Sequence, residues 1–285
     1  MRVAHLGPRG TYTEVAALLW RPDADLAPLP SVPAAIDAVI RGEADAAVCA
    51  MENSIEGTAS IETLDLLIGP DFPLRVCGEV VVPVQHMLVG GPGTDAGAAT
   101  RVYSHPSALL QCRQSLGRLA PQATPVAALS TAGAIESAMA EPGTLAIGNE
   151  RSAEIYGATI LARDIGDERG NETRFVALAA LAAPAGRVTG EAPPSGDDKT
   201  SLAFTTQHDR PGSLVEILGL FAARGINMTR IESRPTRRQL GTYVFFLDVQ
   251  GHQQDAPLAE ALAEAEAVAH WVRVLGSYPR WVSPD

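Results

Sequence analysis

The pentapeptide Asn171-Glu172-Thr173-Arg174-Phe175 stands immediately before the apolar run VALAALAAPAG. An amide, an acid, a hydroxyl, a guanidinium and a ring supply nothing that entry into a buried strand requires. They do supply what a ligand site at a strand end requires. Three more stretches carry similar groups: MENSIEG (51–57), YSHPSALLQC (103–112) and LSTAG (129–133). Hydroxyls and amides gathered at helix starts around one arginine bind anions well. Taken singly, each has an ordinary reading. Ser104, Ser130 and Thr131 serve as helix caps, Asn53 and Gly57 as turn formers, Glu56 as a solvated acid, and Arg174 as partner to a surface carboxylate. His105 precedes Pro106, and no serine–acid–histidine arrangement is legible. GPRG (7–10) has neither the glycine spacing nor the lysine of a phosphate loop. The joint pattern is what points to a site.

The elements that must position these residues alternate. Strands are expected over 2–6, 45–51, 101–104, 124–127, 144–147 and 159–162, with a β-rich segment over 74–89. Helices are expected over 11–20, 32–41, 60–68, 106–116, 131–139 and 150–156. Inward stripes are expected at Val15, Leu18 and Leu19; at Ile36, Val39 and Ile40; and at Ile61, Leu64 and Ile68. The alternation predicts an α/β fold with largely parallel sheets, and a loop at 90–97 divides it into two lobes, the second over roughly 90–160. Ligands in such folds bind at the carboxyl ends of strands. Residues 181–198, rich in Ala, Pro, Gly and acid, read as a flexible linker. Beyond it the order strand–helix–strand–strand–helix–strand predicts a ferredoxin-like βαββαβ domain over 199–279.

The 285 residues carry a net charge of −11, which argues against nucleic acid as a partner. Arginine supplies nearly all the positive charge, since Lys199 is the one lysine. No apolar run approaches the ~20 residues of a membrane span, and the first residues lack a signal-peptide pattern. A cytoplasmic location and no membrane partner are therefore expected. Cys49, Cys77 and Cys112 are scattered and read as reduced thiols. No metal-ligand spacing is present, and neither a metal nor a cofactor is expected.

The stretches GPRGTYTEVAA, ENSIEG, SHPSALLQC, STAGAIESA and NETRFVAL, in this order, resemble the prephenate dehydratase family. GSLVEIL followed by INMTRIESRPT resembles the ACT regulatory domain attached to that enzyme. The chain departs from the family pattern at Met51, Ser107 and Ser213. The resemblance implies a two-lobed, periplasmic-binding-protein-like catalytic domain (1–180) and an ACT domain. It implies conversion of prephenate to phenylpyruvate, carbon dioxide and water. Thr173 would stand at the departing hydroxyl, Arg174 would clamp a carboxylate and Phe175 would form an apolar wall. Asn53, Ser54, Ser104, Gln111 and Thr131 would position the substrate. Water or Glu56 are alternative proton sources. Gly212, Ser213, Leu214, Val215, Asn227, Glu232, Ser233, Arg234 and Pro235 would hold L-phenylalanine as effector, between copies of a homodimer or homotetramer. No chorismate mutase segment precedes the first strand, so a monofunctional enzyme is expected. Two alternatives stay open: arogenate dehydratase, and a cytoplasmic two-lobed small-molecule sensor carrying an ACT domain.

Overall fold

The computed structural model describes residues 1–69, 71–182, 187–207, 211–236 and 241–283. The expected turn at 236–241 and the middle of the expected linker, 183–186, lie largely outside these residues. The chain forms two compact units, residues 1–63 with 80–175, and residues 64–79 with 176–285. This differs from a simple division at a linker, because 64–79 leaves the first unit to join the second.

In the first unit β1 (Arg2–Leu6) is flanked by parallel β2 (Asp25–Leu29) and β3 (Ala46–Asn53). Helices α1 (Tyr12–Trp20) and α2 (Val32–Ile40) make the crossovers, capped by the side chains of Thr11 and Ser31. Their inward faces differ from the expected stripes. Ala16 and Ala17 with Glu14 are buried on α1, and Leu19 is exposed; Ala35, Ile36 and Val39 are buried on α2, and Ile40 is exposed. Alanine brings a helix axis close to a sheet, so the larger side chains flank the contact. The short β4 (Gly57–Thr58) folds back on β3, and α3 (Ile61–Leu67) follows it. On α3 it is Leu64 and Leu67 that are buried, and Ile61 is exposed.

β5 (Leu74–Pro83) is the far edge strand of this first sheet, and the chain then enters a second sheet. That sheet contains β6 (Met87–Gly90), β7 (Arg101–Ser104), β8 (Thr124–Ala127), β9 (Thr144–Gly148) and β10 (Thr159–Ala162), in the order β10-β6-β9-β7-β8. It is mixed: β7 runs parallel to β8 and β9, whereas β6 is antiparallel to both of its neighbours. The helix expected over 106–116 is two helices, α4 (Pro106–Gln111) and α5 (Arg113–Leu119), meeting at buried Cys112. Asp167 explains the break. Its carboxylate accepts from the amides of Gln114 and Ser115 and so caps a new helix start. α6 (Thr131–Ala140) and α7 (Glu150–Tyr156) complete this lobe, capped by Ser130 and Asn149. β11 (Glu172–Ala180) then lies beside β3.

In the second unit β12 (Asp198–Thr206), α8 (Ser213–Ala222), β13 (Met228–Pro235), β14 (Tyr243–Gln250), α9 (Ala256–Val268) and β15 (Ala269–Pro279) give the expected βαββαβ order. The antiparallel sheet runs β13-β14-β12-β15. Leu202, Phe204, Leu247 and Val249 pack with Ile217, Phe221, Leu258 and Leu262 from the two helices. Segment 64–79 is fastened to this unit. Lys199 Nζ donates to both oxygens of buried Glu79 at 2.8 Å, and Arg273 donates to the carbonyl of Gly69. Gly276 lies so close to Val76 that a Cβ there would collide with the Val76 backbone. Gly276→Val is therefore expected to cost about 3 kcal/mol or more by overpacking. A drop of several degrees in melting temperature would show it, and an unchanged melting curve would contradict this close contact.

Candidate active site

The carboxyl end of β3 and the amino end of β11 meet in one hydrogen-bonded network. Asn53 Oδ1 accepts from the amides of Ile55 and Glu56 at 2.9 and 3.0 Å. That fixes the amide orientation and makes Nδ2 the donor. Nδ2 donates to Asn171 Oδ1 (2.7 Å), to the Glu172 carbonyl (3.1 Å) and to Thr173 Oγ1 (3.0 Å). The orientation propagates. Asn171 Nδ2 donates to Gln111 Oε1 at 2.8 Å, and Gln111 Nε2 donates to Glu56 Oε1 at 2.6 Å. Gln111 comes from α4 in the other lobe, so the network spans the two lobes of the unit. Ser54 clips the ends together: Oγ donates to the Gly170 carbonyl and accepts from the Glu172 amide.

Thr173 is buried and accepts from Asn53, and among the described residues its own hydroxyl proton meets no protein acceptor. Alternation along β11 puts Asn171 and Thr173 on one face and Arg174 on the other. There Arg174, also buried, donates from Nε to Glu52 Oε2 at 3.1 Å. Phe175 is 2% exposed and belongs to the core behind Thr173. The remaining candidates separate. Ser104 is fully buried, and its hydroxyl donates to the Ile147 carbonyl at 2.8 Å. There it ties β7 to β9. Thr131 sits half-buried in the first turn of α6, beyond the capping Ser130. A cavity of about 340 Å³ opens beside the network, and Ile55, His86, Gln111, Gly170, Asn171 and Glu172 are among its walls.

His86 was not singled out by its sequence context. Its Nε2 lies 2.7 Å from Gln111 Oε1, which already accepts from Asn171, so Nε2 carries a proton and donates. Nδ1 is buried without a partner. Burial lowers the His86 pKa, against the opposing effects of its bond to Gln111 and of Glu56. His5, fully buried near Glu14, is lowered mainly for the same reason. In both cases the unfolded state takes up a proton near pH 6.5, while the folded state stays neutral to lower pH. Stability is thus whole above about pH 6.5 and falls as pH drops below it. Melting temperature measured from pH 7.5 to 5 is expected to decline below pH 6.5, with a shallower decline in His86→Gln. A flat profile would contradict neutral buried imidazoles.

Glu14 is a second residue that the sequence concealed. Its buried carboxylate pairs with Arg151 of α7 at 2.6 Å and accepts from the Gly10 amide. Asn149 Nδ2 donates to the Gly10 carbonyl. GPRG is thereby held against the start of α7 and is not organised as a phosphate cradle.

In the second unit Gly212, at φ +88°, caps α8, whose first turn contains Ser213, Leu214 and Val215. Register places Glu232–Pro235 toward the same end of the sheet, because Ser233 and Phe204 both align with Phe245. Asn227 lies eight residues before Pro235, about 26 Å along an extended chain. Within one chain it therefore stands apart from the other eight effector candidates. Glu232 pairs with Arg230, and Arg234 with Asp65.

The sequence profile of prephenate dehydratase matches residues 3–182, and that of the ACT domain matches residues 200–267. The chain belongs to the prephenate dehydratase family. A prephenate dehydratase from Mycobacterium sp. (strain JLS) is 40% identical over 291 residues, covering 98% of this chain and 89% of that protein. The structure of a prephenate dehydratase from Arthrobacter aurescens in complex with L-Phe is similar, with a TM-score of 0.86 and 37% identity over 98% of this chain and 90% of that one. A structure described as a novel type of quorum-quenching acylase is similar too, with a TM-score of 0.84 and 33% identity over 99% and 98% of the two chains. These matches establish the two-lobed catalytic fold with an ACT domain. Among the described residues no helix is long and apolar enough to cross a membrane.

Proposed function

We propose that the chain converts prephenate to phenylpyruvate and responds to L-phenylalanine. The bond from the ring to its carboxylate breaks, and that electron pair forms the ring's new double bond. The hydroxyl across the ring departs with its bonding pair and leaves as water on receiving a proton. Aromaticity drives the change, so the protein has to align two leaving groups and supply a donor. The observation that carries this reading is the state of Thr173. Asn53 donates to its oxygen, which leaves the hydroxyl proton available for a departing oxygen. Water replenishes that proton. Glu56 is exposed and already accepts from Gln111, whereas an acid role would need a dry site. Asn53 and Gln111 act through the network by holding Thr173 and Asn171 in place. Arg174, on the other face of β11 with Nε held by Glu52, would meet a substrate carboxylate only around the amino end of the strand, and Arg174→Lys tests that role. Rates with prephenate and with arogenate, each with and without L-phenylalanine, test this directly. Faster turnover of arogenate would move the reading to arogenate dehydratase.

The acylase description of one similar structure demands a nucleophile beside a base. The cleft's His86 bonds an amide, and burial pushes the thiols of Cys49 and Cys112 up to about 12. No feature of this site favours that chemistry.

Residues 1–180 form the catalytic part in this reading, 181–198 the connection and 199–279 the regulatory part. L-Phenylalanine binds between Gly212–Val215 and Glu232–Pro235. Asn227 joins that site from a second copy, since it is too distant in its own chain. β13 is an edge strand with exposed Met228, Ile231 and Pro235, so it offers a surface for pairing into a homodimer or homotetramer.

A further inference from the structure

We infer that the Arg234–Asp65 ion pair is the coupling element through which the effector loop acts on the catalytic loop. The inference rests on the proposed effector site. Arg234 belongs to the Glu-Ser-Arg-Pro segment of β13, and its Nη2 lies 3.1 Å from Asp65 Oδ1. The two side chains are 15% and 28% exposed, so water screens the pair less than a surface contact. The guanidinium of Arg234 is thus committed to helix α3, and its Nε is buried with no hydrogen-bond partner. An incompletely satisfied buried cation favours a small rearrangement that would pair it fully.

Asp65 is placed to pass such a rearrangement on. It lies twelve residues after Asn53, and short rigid pieces fill the interval. Asn53 and Glu52 pair with Gly57 and Thr58 of β4. The Ala59 amide donates to the Met51 carbonyl, and Ser60 Oγ accepts from the Thr63 amide at the start of α3. A shift of α3 therefore pulls on the loop that orients Thr173. Other ties between segment 64–79 and its unit, such as Lys199 with Glu79, Arg273 with Gly69 and the Trp281 amide with Glu79, come from β12, β15 and the residues after it. Among these, the Arg234 pair is one that originates in the effector segment. An effector changes activity only if it binds two arrangements unequally, and an ion pair made differently in the two supplies that difference.

The test uses the full-length chain with Asp65→Asn and Asp65→Ala. Calorimetry gives L-phenylalanine affinity, and phenylpyruvate formation gives turnover across an L-phenylalanine titration. Both variants are expected to bind L-phenylalanine within about threefold of wild type and to keep basal kcat/KM within about threefold. The change in kcat/KM between zero and saturating L-phenylalanine is expected to shrink at least tenfold, with Asp65→Glu restoring part of the response. Asp65→Asn that follows the wild-type response curve overturns the coupling role alone. Loss of the response together with loss of binding also overturns it, since Asp65 would then shape the effector site itself. Wild-type chain that binds no L-phenylalanine overturns the effector site and, with it, this inference.

Discussion

Thr173→Val is expected to lower kcat for prephenate about 100- to 1,000-fold while leaving KM within a few-fold. Valine matches threonine in shape but removes the hydroxyl proposed as proton donor. A positioned proton donor contributes on the order of 10²–10⁴-fold. Ground-state binding of the carboxylates does not pass through this hydroxyl, so the loss falls on kcat. Valine also leaves Asn53 Nδ2 with two acceptors, Asn171 and the Glu172 carbonyl, which limits damage to the network. Steady-state kinetics of the purified variant check this. A kcat within threefold of wild type would move the proton donor elsewhere.

Arg174→Lys is the second large effect, an expected fall in kcat/KM of about 100-fold or more. Lysine keeps the charge but loses the planar, multi-pronged geometry that would let the proposed clamp bond Glu52 through Nε and a substrate carboxylate as well. The buried ammonium would have to choose between the two partners, and Glu52 is already in place. Near-normal kcat/KM in Arg174→Lys would show that Arg174 is a structural partner of Glu52 and not an anion clamp.

The alternation of strands and helices, the βαββαβ domain and the grouping of Asn53, Gln111 and Thr173 were legible because each rests on local pattern or on a distinctive motif. Other features were not. Adjacent letters in a strand face opposite ways, so Thr173 and Arg174 are neighbours in sequence and occupy different faces. Ser104 has the same chemistry as a ligand-binding serine, yet it spends its hydroxyl on Ile147, a strand neighbour 43 positions away. Leu19, Ile40 and Ile61 looked like core, because periodicity identifies a face but not the small residues that make the closest approach. The segment 64–79 gave no sign of joining the later domain, since Glu79 and Lys199 meet across 120 residues. Removal of everything beyond the expected linker would strip that segment of its partners. A shortened chain that lost activity would thus report lost packing as readily as lost regulation, which is why Asp65 substitutions are the better probe.

The proposed activity is tested by product formation by the purified chain given prephenate alone. Phenylpyruvate, followed by its absorbance in alkali, and carbon dioxide should appear in equal amounts at a rate proportional to the chain's concentration. Prephenate that is bound but yields neither product above its spontaneous decay would contradict the account and leave a two-lobed binding protein in its place.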